Sequence, residues 1–118
     1  KRYADAERDF VRAIELGKPL GEHPTIQNLR VELGRAWIAL GRAEEVRAML
    51  TSQAQALTAD IDPIFRVETH VVLADALYAL GDKSRARASV AEADRVATAH
   101  TDRPDLRALV DDWHAKHR

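Results

Sequence analysis

His114 and His117 stand three residues apart near the end of the chain, just behind Asp111 and Asp112. On a helix that spacing puts both imidazoles on one face. With carboxylates from neighbouring helices they could hold a divalent cation, and a small metal-dependent enzyme would rest on them. The plainer reading is a solvated helix whose polar residues flank the apolar Trp113, and no metal is expected.

The remaining chemistry-bearing residues lead to less. His70 falls on or near an apolar stripe, where a packing role is expected. His23 precedes a proline and reads as a loop or cap residue. His100 sits near a helix end, where its charged form suits the dipole. Ser52, Ser84 and Ser89 lie in helical contexts without the G-x-S-x-G turn that exposes a nucleophile. Gly17-Lys18-Pro19-Leu20-Gly21 has glycines and a lysine but not the order that cradles a phosphate. Arg30, Arg35, Arg42 and Arg47 suggest an anion patch, yet Glu32, Glu44 and Glu45 interleave with them, as on a solvated helix surface. No nucleophile, base and orienting group assemble. No catalytic residue and no cofactor are expected.

Composition supports that restraint. The 118 residues carry 18 Lys plus Arg against 19 Asp plus Glu, so the bulk basic excess of a nucleic-acid binder is missing. No apolar run is long enough for a membrane span. The chain has no cysteine, which removes disulfides and thiolate metal sites and fits a reducing, cytoplasmic setting. It opens in mid-pattern at Lys1, so a domain of a longer protein is expected.

Low aromatic content and short β-branched runs favour helix throughout. Tyr3, Ala6, Phe10, Ala13 and Ile14 recur in steps of three and four, the mark of one helical face. Gly17 is expected to end that helix in a left-handed conformation. Pro24, Pro63 and Pro104 each suit a first helical position, Asp62 being a plausible cap before Pro63. Gly41 and Gly81 end two further helices.

The pattern then repeats. Leu33-Gly34-Arg35-Ala36-Trp37-Ile38-Ala39-Leu40-Gly41 returns 40 residues later as Leu73-Ala74-Asp75-Ala76-Leu77-Tyr78-Ala79-Leu80-Gly81. Ala6, Val46 and Ala86 keep the same step, as do Phe10, Leu50 and Val90. A fixed period of this length signals stacked helix pairs, none able to bury its apolar face alone. Gly34 and Ala74 would let two backbones cross closely, with Trp37 and Leu77 filling the space one turn on. The expected fold is all-α, a right-handed solenoid of antiparallel pairs with about six helices. The units are a lone helix over 1–17, repeats over 24–58 and 63–99, and a terminal capping helix over 103–117.

Leu33-Gly34, Trp37, Leu40-Gly41 and Val46, echoed by Leu73-Ala74, Leu77-Tyr78, Leu80-Gly81, Ala86 and Ala93, resemble the tetratricopeptide repeat. Gly21-Glu22-His23-Pro24-Thr25 is similar to the G-x-x-H-P connection of the longer, kinesin-light-chain-type units. Gln53 departs from the pattern, standing where a small alanine is usual. Val46 replaces alanine, and Ala74 replaces glycine. The resemblance implies a protein-interaction module inside a larger, bacterial-type regulatory protein. The first helix of each pair would line a concave groove. That groove would offer Asn28, Val31, Glu32, Arg35 and Ile38, then Glu68, Val71, Val72, Asp75 and Tyr78, then Asp111 and Asp112. A basic or apolar-anchored peptide suits that set, or a neighbouring domain of the parent protein. The second expectation is self-assembly into a homodimer through Tyr3, Phe10, Leu106 and Leu109. Neither nucleic acid nor membrane is an expected partner.

Overall fold

The computed structural model describes residues 2–18, 24–58 and 61–117. His23 and the loop before it lie outside the described residues. Six helices follow one another: α1 (Arg2–Gly17), α2 (Pro24–Ala39), α3 (Ala43–Ala56), α4 (Pro63–Ala79), α5 (Lys83–Ala99) and α6 (Pro104–Lys116). No strand occurs among the described residues.

Local rules set the boundaries. Pro24, Pro63 and Pro104 each open a helix, where the missing N–H leaves nothing unsatisfied. Asp62 caps α4 by accepting the Ile64 N–H at 3.0 Å, and Asp82 caps α5 by accepting the Arg85 N–H at 3.2 Å. At the end of α2 the Gly41 N–H donates to the Ile38 carbonyl at 3.0 Å and the Arg42 N–H to Trp37 at 2.8 Å. The end of α4 repeats this arrangement, Gly81 donating to Tyr78 at 3.0 Å and Asp82 to Leu77 at 2.9 Å. This crossed pair of bonds is the Schellman motif, which needs a left-handed residue in its middle. Gly41 and Gly81 supply it, with φ of 79° and 84°.

Nothing lies within 4 Å of a Cβ built on Gly81, so a side chain there meets a conformational obstacle and no steric one. Gly81→Ala is therefore expected to lower stability by about 1–2 kcal/mol, read from urea unfolding. An unchanged midpoint would contradict the left-handed turn.

Gly17 behaves otherwise than expected. It stays helical, and Gly41 and Gly81 are the glycines with positive φ among the described residues. Its smallness serves packing instead, because a Cβ at Gly17 would overlap the Ile26 side chain.

The helices pack in series. α2 touches α1, α3 and α4; α4 touches α2, α3, α5 and α6; α5 also touches α6. The even-numbered helices thus contact one another in order, and each odd one lies against its even neighbours. The core between them includes Val31, Val46, Leu50, Val67, Val72, Ala74, Val90, Leu106, Val110 and Trp113. Gly34 marks the tightest crossing. A Cβ there would stand 3.3 Å from both Val46 Cγ1 and Val72 Cγ1 and 3.4 Å from Leu50 Cδ1, so the glycine meets its own hairpin partner and the next pair together. Leu77 is buried, while Trp37 is partly buried and packs against the core.

Gln53, the departure from a small residue, has a structural reason. It is 2% exposed, and its Nε2 donates to the Gln27 carbonyl and to Thr69 Oγ1, each at 3.1 Å. Its Oε1 accepts from Arg30 at 3.3 Å. One long amide on α3 therefore joins α2 to α4. The Gln27 side-chain amide is itself buried, and neither its nitrogen nor its oxygen has a hydrogen-bond partner. Such a group weakens a core by about 1–3 kcal/mol.

Candidate functional site

The face made by α2, α4 and α6 is where a partner was expected, and ion pairs join its three helices. Arg35 on α2 donates to Glu32 on its own helix and reaches Glu68 on α4 at 3.2 Å. Asp75 on α4 accepts from His117 Nε2 at 3.1 Å and Lys116 Nζ at 3.4 Å, both at the end of α6. Tyr78 adds an aromatic junction. Its ring meets Trp113 edge-on at 6.0 Å and lies 4.2 Å from the tilted His117 ring. Three side chains at the end of α6 thus close on two from α4.

The expected groove residues divide. Asn28, Glu32, Arg35, Ile38, Glu68, Asp75 and Tyr78 are all partly exposed. Val31 is 1% exposed, Val72 1% and Val71 8%, so these three are core residues and are corrected out of the groove. Helical spacing put them beside the groove positions. The neighbouring helix packs close enough to cover them. Asp112 is exposed, and Asp111 stands 3.8 Å from Arg107.

The α6 end of the molecule is polar. Arg107 donates to Asp94 at 2.5 Å and to Thr98 Oγ1 at 2.9 Å across the α5–α6 junction. Forty residues earlier, the positions of Arg107, Asp111 and Asp94 are held by Val67, Val71 and Ala54, and the two valines are buried on α4, against which both α5 and α6 pack. Leu106, expected to meet a second copy, is wholly buried inside this chain, and that expectation is corrected too. Leu109 is half-buried against the core, whereas Tyr3 is 53% exposed.

Several residues that matter here had no signal in the local sequence. Glu7 accepts from both Trp37 Nε1 and the Arg42 guanidinium, so one carboxylate of α1 holds the α2–α3 turn. Arg42 also lies 4.9 Å over the Trp37 ring. Its hydrogen bonds to Glu45 hold that carboxyl below its ordinary value, and Arg47 does the same to Glu44. The Arg103 guanidinium likewise lowers Asp105.

His114 and His117 do not build a metal site together. His117 is engaged with Asp75, and His114 is exposed against the edge of Trp113. Among the described residues no three His, Asp or Glu side chains converge as metal ligands. His70 is half-buried, and the Ser89 hydroxyl donates to its backbone carbonyl at 2.8 Å.

Burial pushes the His70 imidazole below its ordinary value of 6.5, with Glu92 opposing and Arg66 assisting. Its folded-state value lies below its unfolded one. The stabilisation is therefore complete above the unfolded value and is lost as pH falls through it toward the folded value. The melting temperature is expected to drop on acidification below neutrality, and His70→Gln should flatten that drop. Equal slopes for the two proteins would contradict a neutral, buried imidazole.

No helix among the described residues is long and apolar enough to cross a membrane. Comparison with protein-family models, with curated proteins and with solved structures found no match for this chain.

Proposed function

We propose that this chain is a non-catalytic protein-interaction module whose partner lies along the α2–α4–α6 face. The continuity of that face is the observation that carries the reading. Glu32, Arg35 and Glu68 run from α2 to α4, and Asp75, Lys116 and His117 from α4 to α6, all at partly exposed or exposed positions. An extended surface of this kind, built from one helix of each pair, suits a peptide lying across the repeats. The resemblance to tetratricopeptide repeats points the same way.

The chemistry of the face narrows the ligand. Glu32 and Glu68 share the single guanidinium of Arg35, so that cluster keeps a net negative charge. Ile38 and Tyr78 add partly exposed apolar surface near the helix ends. A peptide with a basic side chain beside an apolar anchor complements both features. Self-assembly is the weaker reading, because the polar Asp94–Arg107–Asp111 end offers little to the exposed Tyr3, Val11 and Leu16 on α1 of a second copy.

A synthetic Arg-rich peptide carrying one Leu, titrated into isotope-labelled protein, tests this reading. Amide shifts are expected at Asn28, Glu32, Glu68 and Tyr78. They should be lost in Glu32→Gln/Glu68→Gln, which turns the cluster from net negative to net positive without touching the core. Shifts confined to α1, α3 and α5, or none at all, would contradict it.

A further inference from the structure

Positions 35 and 75 are equivalent in the 40-residue repeat, yet they carry opposite charge. Arg35 stands at the α2–α4 seam between two carboxylates, Glu32 on its own helix and Glu68 across the seam. Asp75 stands at the α4–α6 seam between an ammonium and an imidazole, Lys116 at 3.4 Å and His117 at 3.1 Å. The first seam is a cation held by acids. The second is an acid held by basic groups.

A further cation joins the second seam. The Lys83 ammonium, at the start of α5, lies 5.4 Å from the centre of the Tyr78 ring, which is also 4.2 Å from the His117 ring. One run of contacts thus links Lys116, Asp75, His117, Tyr78 and Lys83, and it gathers two ammoniums around the Tyr78 end of the face. Their counterparts at the α2–α4 seam are Ala76 and Ala43, so nothing similar stands there. What this end shows to solvent is cationic. The Asp75 side chain is 19% exposed and already has two partners, whereas that of Lys116 is 61% exposed and Lys83 is exposed as well. Among the described residues Lys83 pairs with no carboxylate, and Asp112, one turn back on α6, forms no ion pair with either lysine.

We propose that the partner segment on the α2–α4–α6 face is dipolar, with its basic residue over Glu32 and Glu68, its apolar anchor at Tyr78 and an acidic residue at Lys83 and Lys116. The assignment rests on that face being the partner site and adds a second, opposite charge to the ligand. Complementarity of sign at both seams sets the order of charges along the face, and a basic end at the lysines would be repelled. Glu68 and Tyr78 are ten residues apart on α4. That is about 15 Å at the helical rise, which about five residues of extended chain cover. The ligand's opposite charges are therefore spaced by about that length.

The test uses the 118-residue chain and a fluorescein-labelled, C-terminally amidated peptide, Arg-Arg-Ser-Leu-Ser-Ser-Glu-Glu, followed by anisotropy at low salt, where charge contacts are least screened. The reverse sequence is measured beside it, because the charges do not set chain direction, and the tighter of the two is compared with its Glu→Gln analogue. Wild type is expected to bind the dipolar peptide about tenfold more tightly than the analogue. Lys83→Gln/Lys116→Gln should abolish that preference while leaving affinity for the analogue and the melting temperature unchanged. Amide shifts that differ between the two peptides should fall at Tyr78, Lys83 and Lys116, and not at Glu32. Equal affinity for the two peptides, or a preference that survives in the double variant, would overturn the dipolar ligand and leave the face itself as the partner site. Binding of neither peptide would remove the face as the partner site, and the dipolar ligand with it.

Discussion

Gly34→Leu is expected to lower stability by about 3 kcal/mol or more, near or beyond the upper end of ordinary overpacking. The reason is local and double. Leucine adds branched bulk where even a Cβ would already be 3.3 Å from the methyls of Val46 on α3 and Val72 on α4. Both neighbours are essentially unexposed, so neither can swing into solvent to make room. Two helix contacts would open together, the turn within one pair and the seam to the next. Gly34→Ala separates this from a plain effect of glycine. The added methyl is tight, but replacing glycine within a helix recovers roughly 1 kcal/mol of propensity, so little net change is expected. Urea unfolding of both variants checks the contrast, and similar midpoints for Leu and Ala would contradict the close crossing.

Trp113→Ala is expected to lower stability by about 3–5 kcal/mol, the usual range for emptying a large aromatic site. Trp113 is 4% exposed and lies 4.4 Å from the His117 ring, between the end of α6 and Tyr78 on α4. Its loss would leave the Asp75 contacts to His117 and Lys116 without the ring that seats them. Amides of α6 should lose their hydrogen-exchange protection while those of α2 and α3 keep theirs, since each pair in a stack depends mainly on its neighbours. The indole nitrogen is buried without a partner, so Trp113→Phe forfeits no hydrogen bond and should be markedly milder. A Phe variant as unstable as the Ala variant would contradict that account of the ring.

Much of the helix framework could be read from the chain, because its signals are local. Pro24, Pro63 and Pro104 open helices as expected, and Gly41 and Gly81 close the first two of them with the left-handed turn their positions imply. The 40-residue echo also brings Gly34 and Ala74 to buried positions within the helix packing. Gly17 was misleading for a physical reason. A glycine near a helix end can serve a turn or a close approach, and only the place of Ile26 decides between them.

The candidate face was legible only in part. Spacing places Val31 and Arg35 within one turn of each other, but it does not say how closely the next helix covers that turn. The answer buries the valine and leaves the arginine half-exposed. The ties that make the face continuous were not legible at all. Arg35 to Glu68 spans 33 residues and Asp75 to His117 spans 42, and no sequence rule links residues so far apart. Gln53 belongs to the same class, since its partners come from two other helices.

The central claim is that successive helix pairs share one seam, so that α2 and α4 lie side by side and present a common face. A NOESY spectrum of the labelled protein tests it at Gly34. The account predicts cross-peaks from the Gly34 Hα protons to methyls of both Val46 and Val72. Cross-peaks to Val46 alone would mean an isolated hairpin with no seam, and the composite surface would go with it.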